Sequence, residues 1–211
     1  MYLPERFRED DLPTLHALMR DHSFAALVTQ HEGVLCASHL PLILAADEGP
    51  YGTLYGHMAR ANAQWQDFEV SQDVLVIFQG PHTYVSPSWY AEDAANVPTW
   101  NYAVVYAYGS PRLITDEGAC QALLVALVRT HEAPFATPWR FQMPEAERRQ
   151  KMQAIVTFAI RITHLEGKLK LSQNRSRADQ RQVAKALQQS PDPVSWEVGT
   201  LMQQRHEARR T

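Results

Sequence analysis

Apolar positions recur along the chain at two spacings. Leu12, Leu15, Leu18 and Met19 fall three to four apart, the spacing of one helix face, and predict a helix over residues 11–21. Asp10 or Asp11 is placed to cap it, and Pro13 suits its first turn. Residues 24–29 and 34–45 read as strands around a turn at 30–33, with Pro41 marking an edge or a bulge in the second. Residues 53–57 read as a third strand, and 59–70 as a helix carrying Trp65 and Phe68. Residues 74–78 are five apolar residues in a row, three of them β-branched, and read as a buried strand. Gly80 and Pro81 then break the run, and a second short strand follows at 83–85. This stretch, ending at Ser86, Trp89 and Tyr90, admits two readings: a hairpin whose aromatics close a core, or the wall of a site for a flat ligand.

Residues 91–98 read as a loop, and 100–111 as a long strand of alternating aromatic and aliphatic residues, continued by 112–115. Asp116 begins a helix to about Glu132, buried through Leu123, Leu124, Leu127 and Val128. After a Pro- and aromatic-rich loop at 133–144, Pro144 starts a helix that runs through Met152. Residues 155–162 form a late strand, and 165–171 extend the sheet. A polar amphipathic helix covers 177–189 and a charged helical tail 195–210. Strands outnumber tight βαβ alternations, so the pattern predicts a mainly β, α+β fold, an antiparallel barrel with peripheral helices. One domain is expected over residues 1–190, with a helical tail at 191–211.

Composition narrows function by exclusion. The 211 residues are 45% hydrophobic and 20% charged, with a net charge of −3, which gives no general pull toward nucleic acid or anionic membrane. The first ten residues are too charged for a signal peptide, and no apolar run approaches the ~20 residues of a membrane helix, so a cytoplasmic protein is expected. Cys36 and Cys120 are too few for a disulfide framework and read as core thiols.

Two segments carry candidate chemistry. At residues 54–65 a strand ends in Tyr55, Gly56 and His57, and a helix is expected from Ala59, with Arg60 in its first turn. Backbone donors at a helix start and a guanidinium both attract phosphate, and His57 and Asn62 are further donors; the same residues also make a capped surface helix. At residues 166–176, Lys168 and Lys170 share a strand face before the polar run Ser172, Gln173, Asn174 and Arg175, which suits phosphate, ribityl hydroxyls, a subunit contact or a solvated turn. His39, His57, His82 and His164 show no metal-binding spacing, and no dinucleotide, P-loop or nucleophile-elbow motif is present.

The segments MYLPERFRED, SHLPLIL, LYGHMARANAQW, FQGPHTYVSPSWY, VPTWNYAVVYAYG and EGKLKLSQNRS together resemble the PaiB family of FMN-binding split-barrel proteins, described as negative transcriptional regulators. The resemblance runs from Met1 to about Leu187. It implies a six-stranded Greek-key split barrel and a homodimer with FMN at its interface. On this sequence Ser38, His39, Leu40 and Leu42 would border the flavin ring, and Tyr55, Gly56, His57, Arg60 and Asn62 would surround the phosphate. Ser86, Trp89 and Thr99 would come from one chain or the other, and Lys168 and Gln173 would complete the far side. Ala63 departs from the proline usual in that family. DNA contact would fall to Arg175, Arg177, Arg181 and Lys185, with a second basic group at Arg205, Arg209 and Arg210, although no recognition helix is evident. The alternatives are a flavin-dependent oxidoreductase or reductase, or a binder of another planar cofactor such as haem or a deazaflavin.

Overall fold

The computed structural model describes residues 1–69, 73–90, 97–140 and 142–208. Its strands are β1 (Arg8–Glu9), β2 (Phe24–His31), β3 (Val34–Pro41), β4 (Ile43–Ala45), β5 (Thr53–Ala59), β6 (Val74–Val85), β7 (Thr99–Ile114) and β8 (Ile155–Lys170). Its helices are α1 (Leu12–Asp21), α2 (Glu117–Glu132), α3 (Glu145–Gln153), α4 (Arg177–Gln188) and α5 (Pro193–Ala208), with short 3₁₀ helices at Glu5–Phe7, Ala63–Glu69 and Pro87–Trp89. None of the described helices is long and apolar enough to cross a membrane.

The strands form an antiparallel sheet of eight in the order β3-β2-β6-β7-β8-β5-β4, with β1 also on β8. This is the split-barrel fold. The count exceeds the implied six through the two-residue β1 and the three-residue β4. Strands β3 and β4 stand at opposite ends of that order yet are joined through the single residue Leu42. A sheet whose first and last strands are one residue apart has to curl back on itself. The continuous strand expected at 34–45 is therefore two strands: Pro41 ends pairing with β2, and Ile43 begins pairing with β5.

The chain divides into two compact units, Met1–Leu18 with Gln79–Val105 and Glu166–Thr211, and Met19–Phe78 with Tyr106–Leu165. The second unit holds the β2–β3 hairpin. Its two-residue loop, Glu32 (φ 47°) and Gly33 (φ 84°), has both residues in the left-handed region, as the twist of a tight hairpin requires. Leu27, Leu54, Val76, Phe158 and Ile160 are fully buried there, and Phe68 meets Phe158 edge-on at 5.2 Å. In the first unit, Asp11 caps α1 through the Thr14 amide (2.9 Å) and hydroxyl (2.6 Å). Helix α5 packs on α4, where a Cβ on Gly199 would lie 3.1 Å from the Ala184 carbonyl and from Leu187.

Three local expectations change. Strand β6 runs unbroken through Gly80 and Pro81. Its pairing with β2 ends at Ile77, so the missing Pro81 N–H disturbs no bond to β2, and Gly80 lets the Ala103 carbonyl approach. The helix expected at 59–70 is the 3₁₀ helix Ala63–Glu69, because β5 stays paired with β8 as far as Ala59; Val70 lies outside the described residues. Of the two cysteines, Cys120 is half-buried, but Cys36 is exposed on β3, which ends the sheet order.

Candidate functional site

Within the second unit, β5 and the turn after it bring several predicted residues together. The Asn62 side-chain amide donates to Ser38 Oγ at 2.9 Å, and its Oδ1 accepts the Gln64 amide at 3.1 Å. Asn62 thus ties β3 to the start of the 3₁₀ helix. Buried Gln64 donates to the carbonyls of Leu27 (3.0 Å) and Cys36 (3.3 Å). Buried Asp67 accepts from Thr29 Oγ1 at 2.5 Å and pairs with His31 at 3.1 Å. Among the described residues His57 Nδ1 is buried without a hydrogen-bond partner, and burial lowers the pKa of this imidazole, which favours its neutral form.

Other predicted residues go elsewhere. Arg60 is not in a helical turn. Its amide donates to the Ala154 carbonyl (2.9 Å), its Nε to Gln153 (2.7 Å) and its Nη2 to Ile155 (2.8 Å). The expected helix-start cradle for phosphate, with Arg60 in its first turn, is therefore not formed. Strand alternation splits the predicted ring border. Ser38 meets Asn62, whereas His39 stands on the other face beside Phe24, ring centres 6.0 Å apart. Leu40 is half-buried, and Leu42 is core. A Cβ on Gly56 would come within 2.5 Å of Leu42 Cδ2 and 3.1 Å of Phe158 Cζ, so any larger residue there has to displace the Leu42 side chain. The Tyr55 hydroxyl donates to Glu48, and that hydrogen bond raises its pKa.

The first unit gathers cations. Lys168 is buried; its Nζ donates to the Tyr2 carbonyl at 2.9 Å and lies 5.5 and 5.4 Å from the ring centres of Tyr2 and Tyr102. Lys170 Nζ donates to Thr99 Oγ1 at 2.5 Å and to the Trp100 carbonyl. Burial lowers the Lys170 pKa, and the charges of Lys168 and Arg175 lower it further. Among the described residues, neither lysine has a carboxylate partner. Arg175 lies over the Tyr90 ring at 4.6 Å, and the buried Tyr90 hydroxyl has no hydrogen-bond partner among the described residues. Lys170 and Tyr90 did not stand among the predicted cofactor contacts; the shared strand face of Lys168 and Lys170 was the signal available for the first. Gln173 turns back on its own chain, accepting from the Leu171 amide at 2.6 Å and donating to Leu169, so its amide is structural. Ser86 Oγ caps the Pro87–Trp89 helix through the Ser88 amide at 3.3 Å, and Trp89 is half-buried.

Of the basic groups, Arg177, Arg181 and Lys185 are exposed one turn apart on α4, while Arg175 precedes the helix. Arg205 is bound to Glu9, and Arg209 and Arg210 lie outside the described residues. Among the described residues no cluster of metal-binding side chains is present.

The chain matches the family profile described as "Putative FMN-binding domain" over residues 1–164. It is 34% identical over 205 residues to the Protease synthase and sporulation protein PAI 2 of Bacillus subtilis, covering 96% of this chain and 97% of that one. It is 30% identical to the uncharacterised protein AN0679 of Emericella nidulans, covering 85% and 87%. Two solved structures share the fold at low identity. The flavocytochrome Anf3 from Azotobacter vinelandii has a TM-score of 0.56 at 18% identity, over 77% of this chain and 69% of that one. The FAD and heme binding protein from Mycobacterium smegmatis has a TM-score of 0.55 at 14% identity, over 77% and 73%.

Proposed function

The chain belongs to the FMN-binding-domain family that includes PAI 2 of Bacillus subtilis, the PaiB family, and on that premise we propose that it is a flavin-dependent negative transcriptional regulator holding FMN at the interface of a homodimer. FMN is the cofactor of this family's domain. The observation that carries the reading is the pair of buried Lys168 and half-buried Lys170, two ammonium groups with carbonyl, hydroxyl and aromatic partners but no carboxylate among the described residues. Burying cations without a counter-charge is unfavourable, and an anion supplied by a ligand removes the penalty.

The residues suit FMN chemically. Orphaned His57 Nδ1 offers one hydrogen-bonding position, and the Ser38–Asn62 pair offers a hydroxyl and an amide for ring or ribityl groups. His39, Leu40, Leu42, Tyr55, Gly56, Ser86, Trp89, Thr99 and Gln173 complete the proposed surroundings, Leu42, Gly56 and Gln173 through packing and backbone shape. Arg60 acts here by fastening the turn that presents Asn62. When bound, FMN supplies the redox centre. The chain's own residues bind and orient it; neutral His57 adds no charge, while Lys168 and Lys170 favour an anionic group.

The dimer is supported by apolar side chains left in water. On the hairpin, Phe24, Val34 and Leu35 are 67%, 70% and 71% exposed. Trp100, in the aromatic stretch expected to form the flank, is 53% exposed, and Tyr102, Val104, Tyr106 and Tyr108 along it are half-buried. DNA contact is assigned to the α4 stripe Arg177, Arg181 and Lys185, a phosphate-binding and sequence-independent surface. FMN titration by fluorescence quenching, with sedimentation on the same sample, tests the reading. A flavin-bound dimer is expected; a 24.0 kDa species that leaves FMN fluorescence unquenched contradicts it.

A further inference from the structure

A cavity of about 330 Å³ opens in the second unit among the end of β5, the end of β7, α2, α3 and the start of β8. Of the residues proposed for flavin, only Arg60 lines it. We propose that this cavity is a separate binding site for a small amphipathic monoanion, a carboxylate carried on an aromatic or short aliphatic body.

The walls set the body of the ligand. Trp65, Leu113 and Met152 line the cavity with apolar surface. Its polar groups are largely occupied already. Cys120 Sγ and Thr157 Oγ1 lie 2.8 Å apart, and both donate to the Ile114 carbonyl, at 3.2 and 2.9 Å. They require little from a ligand. The volume lies at the small end of the range for ligand sites.

The charge sets the head group. Arg149 is already held by two carboxylates, its Nε by Glu117 at 2.9 Å and its Nη2 by Glu145 at 2.7 Å, and has no charge left for a ligand. Arg60 is not: its side chain meets only the carbonyls of Gln153 and Ile155, with no carboxylate among the described residues. A guanidinium keeps N–H donors beyond those two, in the planar fork that matches a carboxylate. Arg60 is exposed where it borders the cavity, so it can offer its fork to one carboxylate from the open side, while a second negative charge would face Glu117 in the lining.

The test uses full-length protein carrying Cys36→Ser, so that Cys120 is the remaining thiol, with 3-phenylpropionate and its neutral analogue 3-phenylpropanol as probes. Calorimetry gives affinity, and protection of Cys120 from alkylation reports location. The acid is expected to bind about tenfold tighter than the alcohol. It should slow Cys120 alkylation, resist displacement by FMN, and lose its advantage over the alcohol in Arg60→Gln. Met152→Trp, which fills the cavity, should abolish protection by both probes and tests the location without altering Arg60. The proposal is overturned if neither probe protects Cys120, if acid and alcohol bind alike, or if the acid's advantage survives Arg60→Gln. Displacement of the acid by FMN also overturns it, by making the cavity part of the flavin site. Cys120 protection is read with or without flavin, so failure of the flavin reading leaves this test intact.

Discussion

The two units keep polar groups from water in opposite ways. In the second unit the buried groups form neutral or internally balanced bonds: Asn62 with Ser38, Gln64 with two β-strand carbonyls, Asp67 with Thr29 and His31. In the first unit, the amino groups of Lys168 and Lys170 meet carbonyls, a hydroxyl and ring faces. A satisfied network holds its shape unaided. Two lysines with no carboxylate partner among the described residues favour the arrival of an anion. The first arrangement therefore reads as scaffold, with His57 Nδ1 and Gln64 Oε1 among its open buried atoms, and the second as one that favours an anionic ligand.

The largest effect is expected where charge is unbalanced. Lys170→Ala should lower FMN affinity by roughly 10- to 100-fold, the worth of one charge-assisted hydrogen bond, while the urea midpoint of the flavin-free protein stays near that of the parent. Unchanged affinity in a quenching titration would make the cluster structural. Asp67→Ala should do the reverse. It leaves the Thr29 hydroxyl buried and unpaired, so stability should fall by about 1–3 kcal/mol by urea denaturation, with affinity lost only in proportion to unfolded protein. If both variants produced the same pattern, the contrast between the units would disappear.

Arg60→Ala should be milder. Because Arg60 holds the turn to α3 and β8, FMN and riboflavin affinities should fall together, by a few-fold; a loss confined to FMN would return Arg60 to the phosphate.

Proton linkage separates the units further. His57 has its pKa lowered from 6.5 by burial, so below 6.5 the unfolded chain binds a proton that the folded chain refuses. Its contribution to stability is full above 6.5 and is lost as pH falls toward the folded value. Lys170 has its pKa lowered from 10.5, chiefly by burial. Between the folded value and 10.5 the unfolded chain holds the extra proton, so stability should rise with pH in that window, and bound FMN should flatten the rise. Urea denaturation across pH, with and without FMN, measures both limbs; a flavin-free alkaline limb without a rise would remove the strain assigned to Lys170. The smallest effect concerns DNA. Arg177→Ala with Arg181→Ala should reduce the slope of log affinity against log salt by about 2, read by fluorescence anisotropy.

Much of the fold was legible because its signals are periodic. The α1 spacing, the β2–β3 hairpin with its Glu-Gly turn and the alternation of β7 emerge where expected. Signals that depend on partners were not. Pro41 and the Gly80-Pro81 pair look alike as strand breakers, yet one ends a strand and the other lies inside one, because β2 pairing has already ended before Pro81. The site was legible as residue types in segments. The turning of Arg60 to α3 is set by a tertiary contact that spacing does not encode, whereas Gln173 folds back through local bonds to Leu169 and Leu171, a choice its place in a polar run does not specify.

In the proposed function FMN is held at the interface of a homodimer. Flavin fluorescence and sedimentation can be followed together as loaded protein is diluted through dimer dissociation. FMN is predicted to be released in step with the appearance of the 24.0 kDa chain; a single chain of that mass retaining FMN at undiminished affinity would contradict the account.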